Sequence, residues 1–170
     1  DPSLAPHGPR LDLGGMSGKF DFVVPFSWLD GTAVVAGTPI ERIVNGYADP
    51  AFRLSVNFYG APALTMREFA KYRQDVIVGA SVRVTAPLGQ YDNSKLLNLG
   101  NNRWSFRPEL GISKAWGPWT LEIAPSVIAF TDNTDFFNGS TFAQAPIYLV
   151  QGHVIYNFKS GAWVSLDGTY

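Results

Sequence analysis

The chain has 170 residues and a formal net charge of −1, with 13 Lys and Arg against 14 Asp and Glu. Near neutrality with scattered basic residues gives no support for a nucleic-acid partner, and the absence of cysteine excludes disulfides and thiol chemistry. Charged residues reach only 16%, against about 25% in soluble domains, yet no run of about 20 apolar residues offers a helical membrane span.

In chain order, Leu11 to Gly15 reads as the tail of a strand. Gly18 to Trp28 alternates, with Phe20, Phe22, Val24, Phe26 and Trp28 opposite Lys19, Asp21, Val23, Pro25 and Ser27. Ala51 to Tyr59 sets Phe52, Leu54, Val56 and Phe58 against Arg53, Ser55, Asn57 and Tyr59. Asp75 to Pro87 sets Val76, Val78, Ala80, Val82 and Val84 against Asp75, Gly79, Ser81, Arg83 and Thr85. Arg103 to Ala115 places Trp104, Phe106, Pro108, Leu110 and Ile112 opposite Ser105, Arg107, Glu109, Gly111 and Ser113. Trp119 to Thr131 places Trp119, Leu121, Ile123, Pro125 and Val127 opposite Thr120, Glu122, Ala124 and Ser126. Ile147 to Phe158 follows, with Gln151, His153 and Asn157 on its polar face, and a last strand runs from about Ala162 to Tyr170. Side chains on a strand point alternately to opposite faces, so each run is a half-apolar strand.

The best runs are about 12 residues long, where soluble strands favour about 5–6 and a tilted membrane-crossing strand needs roughly 9–11. Trp116-Gly117-Pro118 and Lys159-Ser160-Gly161 are short turns, whereas Gly31 to Asp49, Leu88 to Asn102 and Asp132 to Pro146 are long. Long strands with one apolar face and alternating turn lengths predict an all-β, antiparallel up-and-down transmembrane β-barrel with long loops outside. The Gly60 to Arg73 connection is then periplasmic, and Ala63 to Tyr72 reads as a short helix packed on the rim. The tryptophans form two girdles: Trp28 and Trp104 at the outer ends, Trp116, Trp119 and Trp163 near the inner turns. Seven to eight strands make residues 1–170 a single, incomplete barrel domain, because seven strands do not close a bacterial barrel. The chain opens Asp1-Pro2 without a leader, so a cleaved signal peptide or a longer parent chain is expected.

Several blocks are familiar. Phe58-Tyr59-Gly60-Ala61-Pro62-Ala63-Leu64, Val78-Gly79-Ala80-Ser81 and Val84 to Asp92 come first. Asn98 to Trp104, Pro108-Glu109-Leu110-Gly111, Phe130-Thr131-Asp132-Asn133 and Gln151-Gly152-His153 follow in order. Together, over roughly residues 18 to 170, they resemble the bacterial outer-membrane transporter-like family labelled "putative MetA-pathway of phenol degradation". The resemblance implies a barrel of about 12 strands in a Gram-negative outer membrane that passes small, often aromatic, compounds. It brings no catalytic residues.

The polar faces carry Lys19, Asp21, Arg53, Asp75, Arg83, Arg107, Glu109, Glu122, Gln151, His153 and Asp167, and these are expected to face the lumen. Their charges nearly balance, whereas a strongly ion-selective pore wants a ring of one sign. Internal salt bridges, or passage of neutral or amphipathic solutes, are the expectations. Gln90, Tyr91, Asp92, Asn98 and Asn101 lie in an outer loop that either folds inward as a constriction or stays a polar surface loop. Asp132-Asn133-Thr134-Asp135 has calcium-like oxygens but no full calcium-loop spacing, so it reads as a polar turn. No metal and no cofactor are expected.

His153, Ser113, Ser126 and Ser165 share the inward face without a nucleophile motif, so no enzyme is expected. The expected partners are outer-membrane lipid and a small solute. A structural barrel without transport and a soluble lipocalin-like ligand-binding barrel are the alternatives. If Lys159-Ser160-Gly161 is a three-residue bulged turn, Phe158 pairs with Ala162 and His153 sits across from Asp167. That pair is expected either to fasten the hairpin or to make permeation respond to mild acid.

Overall fold

Eight strands join in one antiparallel sheet in the order β1-β2-β5-β6-β7-β8-β11-β12. They are β1 (Arg10–Leu13), β2 (Met16–Val23), β5 (Ala51–Pro62), β6 (Val76–Thr85), β7 (Ser105–Trp116), β8 (Trp119–Phe130), β11 (Ile147–Asn157) and β12 (Trp163–Thr169). The structure, a computed structural model, describes residues 10–35, 37–62 and 71–170. Two hairpins stand apart as ribbons: β3 (Phe26–Val35) with β4 (Thr38–Tyr47), and β9 (Asn133–Phe136) with β10 (Ser140–Phe142). This is the up-and-down meander that the alternating pattern requires. β5, β7 and β8 have 12 residues each. At about 3.3 Å per residue and a tilt near 40°, such a strand rises roughly 30 Å, enough for an apolar band about 25 Å tall. The sheet does not close on itself: β1 and β12 are its edges.

The sheet has almost no buried core. Among the described residues, Val44, Ala51 and Ala86 are the buried apolar ones, while Phe22, Leu54, Leu110, Ile112 and Ile123 stay exposed. Burying apolar area is the main driving force for folding in water, so an apolar face this open needs another medium. It is also the reverse of a lipocalin-like barrel, whose apolar side chains point inward.

Four features depart from the pattern-based reading. The expected strand from Gly18 to Trp28 breaks after Val23 and resumes at Phe26. Pro25 and, on the return strand, Pro50 lack ladder donors. The register steps from Val23↔Ala51 to Phe26↔Tyr47 across them, one residue more on the return side. Ala48 N bridges the break by donating to Pro25 O at 2.9 Å.

The expected long loop from Gly31 to Asp49 is mostly the β3–β4 ribbon, paired continuously from Phe26↔Tyr47 to Val35↔Thr38. Likewise 132–146 holds β9, a single 3-10 turn and β10.

β5 runs past Tyr59 to Pro62. It does so through a register shift between Asn57 and Tyr59, with Gly60 at φ +75° and Val76 O only 1.7 Å from where a Cβ would stand. The expected helix over 63–72 falls largely outside the described residues.

Near the short turns on the apolar face, Trp119 meets Tyr156 edge-on at 4.8 Å and Tyr156 meets Phe158 at 4.8 Å, where the inner girdle was expected. Trp163 does not belong to it: it pairs with Asn157 and so has polar-face parity. Trp28 lies beyond the proline break, in the ribbon.

Candidate functional site

The registers put three arginines side by side. Arg53 on β5 pairs with Arg83 on β6, which pairs with Arg107 on β7. Neighbouring strands are about 4.8 Å apart, so the guanidiniums are forced together and need a counter-charge. Glu109, two residues along β7 on the same face, supplies it. Arg53 Nη2 donates to Glu109 Oε1 at 2.6 Å and Arg107 Nη2 to Glu109 Oε2 at 3.0 Å.

Hydrogen bonds carry this cluster across the sheet. Arg53 Nε donates to Ser81 Oγ at 3.1 Å, and Arg107 Nε to Ser126 Oγ at 3.2 Å. Arg107 Nη2 also donates to Gln151 Oε1 at 2.7 Å, and Gln151 Nε2 reaches Thr169 Oγ1 at 3.5 Å. One polar belt therefore joins β5, β6, β7, β8, β11 and β12 at a single level.

A second level lies toward the short turns. Gln74 Nε2 donates to Ser113 Oγ at 2.6 Å, and Ser113 Oγ to Glu122 Oε1 at 2.9 Å. His153 is the register partner of Glu122 on one side and Asp167 on the other. Its Nδ1 contacts Asp167 Oδ1, and Ser165 Oγ donates to Asp167 Oδ2 at 2.9 Å. The expected cross-strand pairing of His153 with Asp167 is present. So is the turn that sets it: Phe158 N donates to Ala162 O at 2.8 Å, and Gly161 takes φ +88°. His153 and Ser165 bond the same carboxylate rather than each other.

Both levels wall a hollow of about 600 Å³ whose lining includes Arg53, Arg83, Arg107, Glu109, Glu122, Gln151 and His153. Asp167 stands beside it on β12. Three other expected members do not line the hollow, although Asp21 is the register partner of Arg53. Lys19 and Asp21 pair with each other at 2.7 Å on β2. Asp75 precedes β6 and pairs at the rim with Lys114, which has apolar-face parity.

The outer loop of Gln90, Tyr91, Asp92, Asn98 and Asn101 is tied down by Asp49 and by Asn133, neither of which the sequence reading connected to it. Asp49, 7% exposed, accepts from Gly89 N at 2.9 Å and from Asn101 N at 2.7 Å. Asn133, 1% exposed, donates to Tyr91 Oη at 2.9 Å and to Asn101 O at 3.1 Å, and accepts from Asn102 Nδ2 at 3.0 Å. Asn133 is thus the hub of the run weighed as a calcium loop. Among the described residues no cluster of three or more His, Cys, Asp or Glu can hold a metal.

Asp92 closes a local turn by accepting from Ser94 Oγ at 2.7 Å and Ser94 N at 2.9 Å. The Ser94 hydroxyl, then its amide, holds the Asp92 carboxyl below the usual carboxylate range. A short polar loop gave no sign of Asp49 and Asn133 as its partners because they lie 31 to 52 residues away along the chain.

The family described as "Putative MetA-pathway of phenol degradation" matches residues 7–170. No curated protein sequence matches the chain. Among solved structures, the chain is similar to the COG4313 outer membrane channel from Pseudomonas putida F1. The TM-score is 0.70 at 22% identity, over 94% of this chain and 56% of that one. The chain thus spans little more than half the length of that channel.

Proposed function

The chain belongs to the family of the "Putative MetA-pathway of phenol degradation", and from that premise we propose that it forms part of the wall of an outer-membrane channel. The apolar faces meet outer-membrane lipid, and Lys19, Asp21, Arg53, Arg83, Arg107, Glu109, Glu122, Gln151, His153 and Asp167 face the lumen. The solutes are small and neutral or amphipathic, aromatic ones included. The observation that carries this reading is the polar belt: hydrogen-bonded side chains cross six strands on one face while the other face leaves Leu110, Ile112 and Ile123 uncovered. In a bilayer that arrangement costs nothing on the apolar side and supplies a wet path on the other. The outer loop of Gln90, Tyr91, Asp92, Asn98 and Asn101 frames the outer mouth of the path.

Full-length protein reconstituted in liposomes tests the proposal. Swelling in small neutral solutes, absent from protein-free liposomes, is the expected result. Stable insertion with no swelling and no conductance would overturn transport in favour of a purely structural barrel. Solubility and folding without detergent would overturn the membrane reading itself.

A further inference from the structure

We infer that Arg53, Arg83 and Arg107 form a binding station for the carboxylate of small organic anions inside the channel. The inference rests on the channel reading above and adds a solute class to it. Over the whole polar face the charges nearly cancel, but they are not mixed. At the arginine level two carboxylates stand against three guanidiniums: Asp21 is the register partner of Arg53, and Glu109 bonds Arg53, Arg107 and the Ser81 hydroxyl but not Arg83. Arg83 lies between those two in the register, is exposed, and lines the hollow. Among the described residues it has no hydrogen-bond or ion-pair partner. The nearby acid on β2, Asp21, is taken by Lys19.

Glu109 shows that the geometry accepts a carboxylate, because its two oxygens are taken by two different arginines at 2.6 and 3.0 Å. A guanidinium is a rigid fork of donors matched to two carboxylate oxygens. Arg83 keeps that fork free, with a like charge on each side that only a second anion relieves. The hollow of about 600 Å³ lies within the size range of small-molecule sites. Glu122 and His153 stand on this same wall toward the short turns, two residues along β8 and β11 from Ala124 and Gln151. Asp167 stands beside His153 at that level. Acidic groups there repel the anion, so it is held at the arginines rather than along the whole wall.

The test uses three probes with one ring and one fluorine: 4-fluorobenzoate, 4-fluorobenzyl alcohol and 4-fluorobenzylammonium. Their fluorine NMR lines are followed with full-length protein in detergent. Broadening of the benzoate alone is expected, and Arg83→Gln should weaken its binding at least about tenfold. Arg83→Lys should retain more of it than Arg83→Gln. Lys95→Gln, which removes the same charge from the outer loop, should leave it unchanged. Raising salt should weaken the benzoate signal in the parent protein, a readout that needs no variant and stands if Arg83→Gln fails to fold. Equal broadening by all three probes, or benzoate binding indifferent to both Arg83→Gln and salt, would overturn the station. Liposome swelling separates the two proposals. Passage without carboxylate binding removes only the station, and carboxylate binding without passage removes only the channel.

Discussion

The two faces of one sheet obey opposite rules. On the apolar face, Phe22, Leu54, Val82, Leu110 and Val154 each stand more than a third exposed, and under the proposed facing they contribute by fitting a lipid medium, so their pairing matters less than their chemistry. On the polar face, Ser81 and Ser126 are 8% and 6% exposed because arginines lie over them and donate to them. There the pairing matters more than the parity, since a single carboxylate holds two strands' arginines. The lesson is that the sheet is fastened along its polar face, while its apolar face carries no such network. An outward residue is therefore replaceable by any apolar one, and an inward residue is replaceable only where no network passes through it.

The sharpest way to break this comparison is a charge on each face. Leu110→Arg or Val82→Arg at mid-strand should cost about 2–4 kcal/mol and block assembly in the outer membrane. Ala124→Arg should not. Ser81→Arg makes a harsher test of the polar face, because it adds a fourth cation to the arginine level and removes a hydroxyl that Arg53 uses. Heat-modifiable migration of the extracted protein reads all four, and equal behaviour of Leu110→Arg and Ala124→Arg would mean that the facing is wrong.

Gly60→Ala probes the β5 bulge, where the new Cβ would meet Val76 O and the backbone sits at φ +75°. A loss of about 1–3 kcal/mol in urea unfolding is expected. Glu109→Gln keeps shape but removes the charge shared by Arg53 and Arg107. Arg53 is 45% exposed, so solvent screening limits the loss to about 1 kcal/mol. The loss should grow as salt is lowered, because the three guanidiniums then repel at longer range.

The smallest effect is at Asp92. Its folded value lies below the ordinary 3.8, so its turn with Ser94 is fully held above pH 3.8 and is lost as pH falls through the lowered folded value. An NMR titration should place its midpoint below 3.8 in the parent protein and nearer to it in Ser94→Ala.

How legible each region was follows from which rule it obeys. The period-two alternation of β5 to β8 was readable because facing is decided residue by residue, and lipid on one side leaves no freedom. The β3–β4 ribbon was not readable as strands. Gly31, Pro39, the adjacent Ile43-Val44 and Gly46 spoil the alternation there, and a ribbon outside the main sheet has no single apolar face to display. Pro25 sat among alternating residues and hid the break that Pro50 completes. The arginine level shows the limit most clearly. Arg53, Arg83 and Arg107 each had the right parity, but their adjacency depends on two registers joined by a 13-residue and a 19-residue connection. The β11–β12 register came from a three-residue turn and could be counted directly to His153 and Asp167. Counting charge over the whole face concealed the separation of an arginine level from an acidic one.

Because the chain lacks cysteine, single cysteines along β8 test the central claim directly. Each position from Thr120 to Val127 would carry one cysteine in the full-length protein in membranes, probed with a membrane-impermeant thiol reagent. The account predicts period-two labelling, with Thr120, Glu122 and Ala124 reactive, Leu121, Ile123, Pro125 and Val127 protected, and Ser126 slowed by the Arg107 side chain that lies over it. Uniform labelling along β8, or the opposite alternation, would contradict it.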